Sequence, residues 1–88
     1  MISKELTVLN EQGFHVRPAQ LFTEKAAQFE SNVRVRSEAG EADGKSMLEL
    51  MTLGLARGSR LTVEADGPDE AEALQALAGL IEDRFGED

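Results

Sequence analysis

Gly13-Phe14-His15-Val16-Arg17-Pro18-Ala19 holds the only histidine of the chain. It stands between a turn signal, Asn10-Glu11-Gln12-Gly13, and an amphipathic run that starts at about Val16. The imidazole therefore falls at, or one residue before, the first turn of a helix. Pro18 is tolerated there, because the first helical N–H groups have no carbonyl four residues back. Those N–H groups and the positive end of the helix dipole form an anion site. Arg17 adds a planar guanidinium that can meet two phosphate oxygens at once. A nucleophilic nitrogen, a helix start and an arginine together point to a phosphorylated histidine. The plainer role is a polar boundary residue, and on composition alone that role comes first.

The elements that must position this stretch can be read in order. Residues 2–9 alternate, with Ile2, Lys4, Leu6 and Val8 on one face and Ser3, Glu5 and Thr7 on the other. That period of two predicts a half-buried strand, with Lys4 near a frayed start. From Val16 to about Ala27 the period becomes helical: Ala19, Phe22, Ala26 and Phe29 form the core stripe. Val16, Gln20 and Glu24 lie on another face, continuous with His15. Ser31-Asn32 breaks the helix. Val33 and Val35 then alternate with Arg34 and Arg36 in a second strand, and Glu38-Ala39-Gly40 turns into a short third strand, Glu41 to Asp43.

Ser46 followed by Glu49 reads as a capping box, with the carboxylate reaching back to the Ser46 N–H. The helix it opens, about 47–53, ends at Gly54. Met47, Leu48, Leu50, Met51 and Leu53 cover more of its circumference than one stripe can bury. Leu50 and Leu53 suit the core, while Met47, Leu48 and Met51 divide evenly between core and docking surface. Leu61, Val63 and Ala65 mark a fourth strand. Asp69 with Glu72 forms a second capping pair, shifted by Pro68, for a helix reaching about Phe85 with Leu74, Leu77, Ala78, Ile81 and Phe85 inward. Gly86-Glu87-Asp88 is expected to fray. The order β-α-β-β-α-β-α predicts an open-faced α+β sandwich, a four-stranded antiparallel sheet covered on one face by three helices.

The chain of 88 residues reads as one domain, 1–88, that buries about 60–65% of its unfolded surface. A deep active site does not fit that size, so any chemistry belongs on the surface. The absence of cysteine removes disulfides, thiolate catalysis and zinc-thiolate sites, and one histidine removes a His-rich metal cluster. No metal or cofactor is expected. A net charge of −8 opposes nucleic acid and anionic membrane, and four Phe without Trp or Tyr give little base-stacking surface. A protein partner or small ligand remains. Without a long apolar run or targeting segment, a cytoplasmic location is expected.

The Gly13–Ala19 string resembles the active-site motif of the histidine-containing phosphocarrier (HPr) family of the phosphoenolpyruvate-dependent sugar phosphotransferase system. Lys45-Ser46, the apolar helix and Thr52-Leu53-Gly54 resemble the family's second signature at the same distance from the histidine. The resemblance covers the whole chain, including its length, element order and the Asp66-Gly67 turn. It implies a carrier rather than an enzyme. His15 would accept a phosphoryl group at Nδ1 from phosphorylated Enzyme I and pass it to an EIIA domain. Arg17 would compensate phosphoryl charge and Pro18 would set the helix start. Ser46 is a regulatory phosphorylation site in members from bacteria that possess HPr kinase/phosphorylase. Val16, Gln20, Lys45, Met47, Leu48, Met51 and Thr52 would form the partner face of a monomer, and both helix starts would share it.

The chain departs from the family where many members carry lysine, having Glu24, Ala27 and Glu49 instead, and Val16 replaces the frequent Ala or Thr. These departures bear on which partner docks rather than on the histidine. Two other readings remain open. One is a regulatory interaction protein controlled through Ser46, with no dominant role in sugar uptake. The other is a small ligand-binding module in which His15 only bounds a helix.

Overall fold

A computed structural model describes residues 1–10 and 13–86. Glu11-Gln12 of the predicted turn and the Glu87-Asp88 tail lie outside them. Strand β1 spans Ile2–Thr7, α1 Val16–Ala26, β2 Asn32–Ser37, β3 Gly40–Asp43, α2 Met47–Thr52, β4 Arg60–Asp66 and α3 Glu70–Glu82. The strands form one antiparallel sheet in the order β1-β4-β2-β3. The element order and the open-faced sandwich are those expected from the periodicities.

Register explains which face is covered. Lys4 pairs with Val63, Val63 with Val35, and Val35 with Ala42, so one row crosses all four strands on the inner face. The alternate row, Ser3, Glu64, Arg34 and Asp43, faces outward, with Arg36 bonded to Glu64 beside it. Helix α3 covers β1 and β4, α2 packs near β3, and α1 lies against α2 and α3. Phe22, Leu50, Leu61, Leu77 and Ile81 are fully buried between the layers. Each such side chain contributes about 1.5–3 kcal/mol through area removed from water.

Several local expectations change. Lys4 is not in a frayed start, since Ile2 already pairs with Ala65 and the Lys4 ammonium reaches Glu82 of α3 at 3.8 Å. Ser46 Oγ accepts from the Glu49 N–H at 3.3 Å, but the other half of the capping box is absent. The Ser46 N–H is taken by the Asp43 carbonyl, so the Glu49 carboxylate accepts from the Asp43 N–H at 3.1 Å. Asp69 is the N-cap residue of α3, and its carbonyl accepts the Ala73 N–H, but its side chain makes no capping bond. Its carboxylate accepts instead from the N–H groups of Glu30 and Ser31 and from the Ser31 hydroxyl. Helix α3 ends at Glu82, short of Phe85. The chain enters the left-handed region at Arg84 and Phe85, and Phe85 is buried from a 3₁₀ turn rather than from the helix stripe.

Candidate functional site

His15 is the N-cap of α1, with extended φ −84° and ψ −168°. Its carbonyl accepts the Ala19 N–H at 3.1 Å, and its side chain makes no capping bond to the helix. Half-buried, it stands on a strap fixed from several sides. Asn10, fully buried, donates from Nδ2 to the Gly13 carbonyl at 2.6 Å, and the Gly13 N–H returns a bond to the Asn10 carbonyl. The Phe14 N–H donates to the Leu55 carbonyl at 2.9 Å. The 58–59 backbone pairs with Val8 on the other side, so the segment after α2 holds both ends of the strap. Gly13 takes a φ of +66°, and a Cβ there would run into the Leu55 carbonyl and Ala56.

The Phe14 side chain turns inward and anchors the strap. Its ring lies 5.8 Å from Phe22 of α1 and 5.1 Å from Phe85, edge-on to the latter. Pro18 is buried in the first turn, where its missing N–H costs no ladder bond. Arg17 is exposed and makes no ion pair among the described residues. His15 thus stands at the positive end of α1, with an exposed cation two residues away and no acidic residue in the first turn.

The other predicted residues divide by their place along the helix pair. Leu55, just past α2, touches Phe14, whereas Lys45, just before α2, donates from Nζ to the Phe29 carbonyl at 2.8 Å. Helix α2 therefore runs back along α1. Its far end approaches His15, and its start, with Ser46, lies at the opposite end of the pair. Lys45 is half-buried, and its charge sits in the turn past the carbonyl end of α1, the end of that helix away from His15. On the outer side of the pair, Val16, Leu48 and Met51 are exposed at 54%, 80% and 39%, with Gln20, Glu24, Glu49 and Thr52 also exposed. The even division between core and docking resolves to the outside for Leu48 and Met51, while Met47 is half-buried. Leu50 and Leu53 are core residues as expected. Asn10 and Phe85 were not legible as site residues: one acts through a buried amide clamp, the other through a turn after the last helix.

Fold and site together define a class: open-faced α+β sandwiches that present a histidine at the start of their first helix. The family model described as the PTS HPr component phosphorylation site matches residues 2–83. The chain is 41% identical over 87 residues to the phosphocarrier protein HPr of Neisseria meningitidis serogroup A, covering 99% of this chain and 98% of that protein. The crystal structure of an HPr from Thermoanaerobacter tengcongensis superposes with a TM-score of 0.96 at 38% identity, covering 100% of this chain and 99% of that one. The Bacillus subtilis catabolite repression protein Crh, seen as a domain-swapped dimer, matches at a TM-score of 0.76 and 33% identity over 96% of this chain and 97% of its own. The chain belongs to the HPr family, the phosphocarrier proteins of the phosphotransferase system.

Proposed function

We propose that this protein, acting as one domain over residues 1–88, relays a phosphoryl group from phosphorylated Enzyme I to EIIA components. The observation that carries this reading is His15 at the start of α1, with its side chain not spent on capping the helix and Arg17 exposed beside it. In the first transfer, Nδ1 of neutral His15 attacks phosphorus while the bond to the donor breaks in line. In the second, the new N–P bond breaks toward the EIIA acceptor. A loose phosphoryl transition state asks for positioning and charge stabilisation rather than covalent help from the protein. The first-turn N–H groups and the Arg17 guanidinium supply both for the phosphohistidine. Pro18 fixes where that turn begins. No pocket is required, because each partner encloses the site from its own side.

Val16, Gln20, Met51, Thr52 and Leu48 are the docking residues in this reading, with Met47 and Lys45 supporting α2 from beneath. A carrier that must show one face to two partners in turn works as a monomer in the cytoplasm. Incubation with phosphoenolpyruvate and the cognate Enzyme I tests the relay. Acid-labile, alkali-stable phosphate is expected, and it is lost in His15→Ala. No label on the wild-type protein removes this function. Arg17→Ala is expected to remain folded by circular dichroism while transfer slows on the order of a hundredfold.

A second reading is favoured by Ser46 at the start of α2 and by the likeness to Crh. A phosphate on Ser46 would lie at a helix start, where negative charge is accommodated, and would add charge beside exposed Leu48. Phosphorylation by an HPr kinase/phosphorylase with ATP, lost in Ser46→Ala, is the outcome that supports regulatory use.

A further inference from the structure

The left-handed turn after α3 is a strained feature that the relay leaves unexplained. Arg84 and Phe85 have φ of 57° and 56°. Left-handed backbone costs conformational energy at any residue with a Cβ, and a bulky aromatic there is an outlier. The glycine that would relieve the strain comes one residue later, at Gly86. Consecutive strained residues persist only where surrounding contacts over-determine them, and such places cluster at functional sites.

What the turn achieves is specific. Continued as helix, α3 would carry Phe85 onward along the stripe of Leu77, Ala78 and Ile81. The turn instead brings it, 4% exposed, edge-on against the Phe14 ring at 5.1 Å and 88°. Phe14 is then gripped by Phe22 of α1, by the Leu55 carbonyl and by Phe85. Its next neighbour in the chain is His15. Edge-on pairing of two rings is attractive beyond the area it buries, so this contact holds the Phe14 ring as well as filling space.

We propose that Phe85 is a positioning residue for the phosphoryl acceptor: through Phe14 it holds the backbone from which the His15 imidazole is presented. The inference rests on His15 being that acceptor. Phe85 touches neither phosphate nor partner, and its effect passes through the strap. Losing it lets Phe14 sample other ring orientations and loosens the imidazole relative to the first turn of α1. A displacement of that kind lowers the rate of the transfer step without weakening docking, because the exposed face of α1 and α2 is left intact.

The test compares Phe85→Leu, which retains apolar bulk, with Phe85→Ala, at a temperature where circular dichroism shows both folded. Imidazole ¹⁵N resonances of the unphosphorylated protein are expected to shift or broaden in both variants. In single-turnover transfer from phosphorylated Enzyme I, the maximal rate is expected to fall roughly tenfold in Phe85→Ala, with half-saturation unchanged. Phe85→Leu is expected to recover thermal stability but not the wild-type ring signals or transfer rate. Unmoved ring signals and unmoved maximal rates in both variants would show that Phe85 only packs, and would overturn the proposal. If wild-type protein takes no label, the carrier function fails on its own, and the ring resonances still decide whether Phe85 positions His15.

Discussion

At the scale of single residues, the site depends on contacts that hold a short strap as well as on the groups that strap presents. Gly13 is the sharpest case, because its backbone enters the left-handed region and a side chain would meet the Leu55 carbonyl and Ala56. Gly13→Ala is expected to cost about 1–3 kcal/mol from the backbone conformation alone. Displacement of the 55–56 backbone adds to that and weakens the Phe14–Leu55 bond. Thermal denaturation should show a lower midpoint, and transfer at a temperature where the variant is folded should also be slower. Wild-type values for both would mean that the strap tolerates a Cβ. Much of this scale was legible from type and spacing: the histidine beside Arg17, the helix start and the tolerated proline. Asn10 was not, since only the fold shows its amide buried against the Gly13 carbonyl. Lys45 carries the same lesson. A lysine before a helix reads as surface charge, but tertiary packing brings its ammonium to the end of α1.

At the scale of elements, periodicity located the strands and helices, while their ends were decided by side chains reaching across the fold. Asp69 shows why. Its place before α3, three residues ahead of Glu72, has the spacing of a cap, yet its carboxylate ties the start of α3 to the turn between α1 and β2. No local pattern encodes a partner 38 residues away. The Ser31 hydroxyl, followed by the Glu30 and Ser31 N–H groups, holds the Asp69 carboxyl below its ordinary value. Glu70 is likewise lowered, first by the Gly67 N–H and then by the amino terminus. A carboxylate with a lowered folded pKa contributes stability that is present above its unfolded value, about 3.9 for Asp, and lost as pH falls through the folded one. Asp69→Asn is therefore expected to lower the melting temperature by several degrees at neutral pH. The gap from wild type should narrow as pH drops below about 4. A gap that stays constant with pH would mean that Asp69 contributes through shape rather than through its charge. Ser31, buried and bonded to the same carboxylate, belongs to one coupled unit with it, so Ser31→Ala and Asp69→Asn should be non-additive.

At the scale of the molecule, a carrier is defined by what can approach it, and this one carries a net charge of −8. The exposed side of α1 and α2 repeats that bias. Its apolar residues Val16, Leu48 and Met51 are accompanied by Glu24 and Glu49, Lys45 is turned to a backbone carbonyl, and Arg17 is reserved for the phosphoryl group in the proposed relay. An acidic docking surface on Enzyme I would meet repulsion here at long range and find little compensating charge at contact. A partner complementary to this face would carry an apolar patch bordered by basic side chains. Charge at the rim of an interface acts mainly on the association rate and is screened by salt, over a Debye length of about 8 Å at physiological ionic strength. The second-order rate of transfer from the cognate Enzyme I is accordingly expected to fall as salt rises. Glu24→Lys, an exposed change on α1, should slow the reaction severalfold at low salt and flatten its salt dependence, with the maximal single-turnover rate unchanged. A wild-type rate that rises with salt, together with a faster Glu24→Lys variant, would place acidic groups on the partner and assign recognition to the apolar contacts of Val16, Leu48 and Met51 alone.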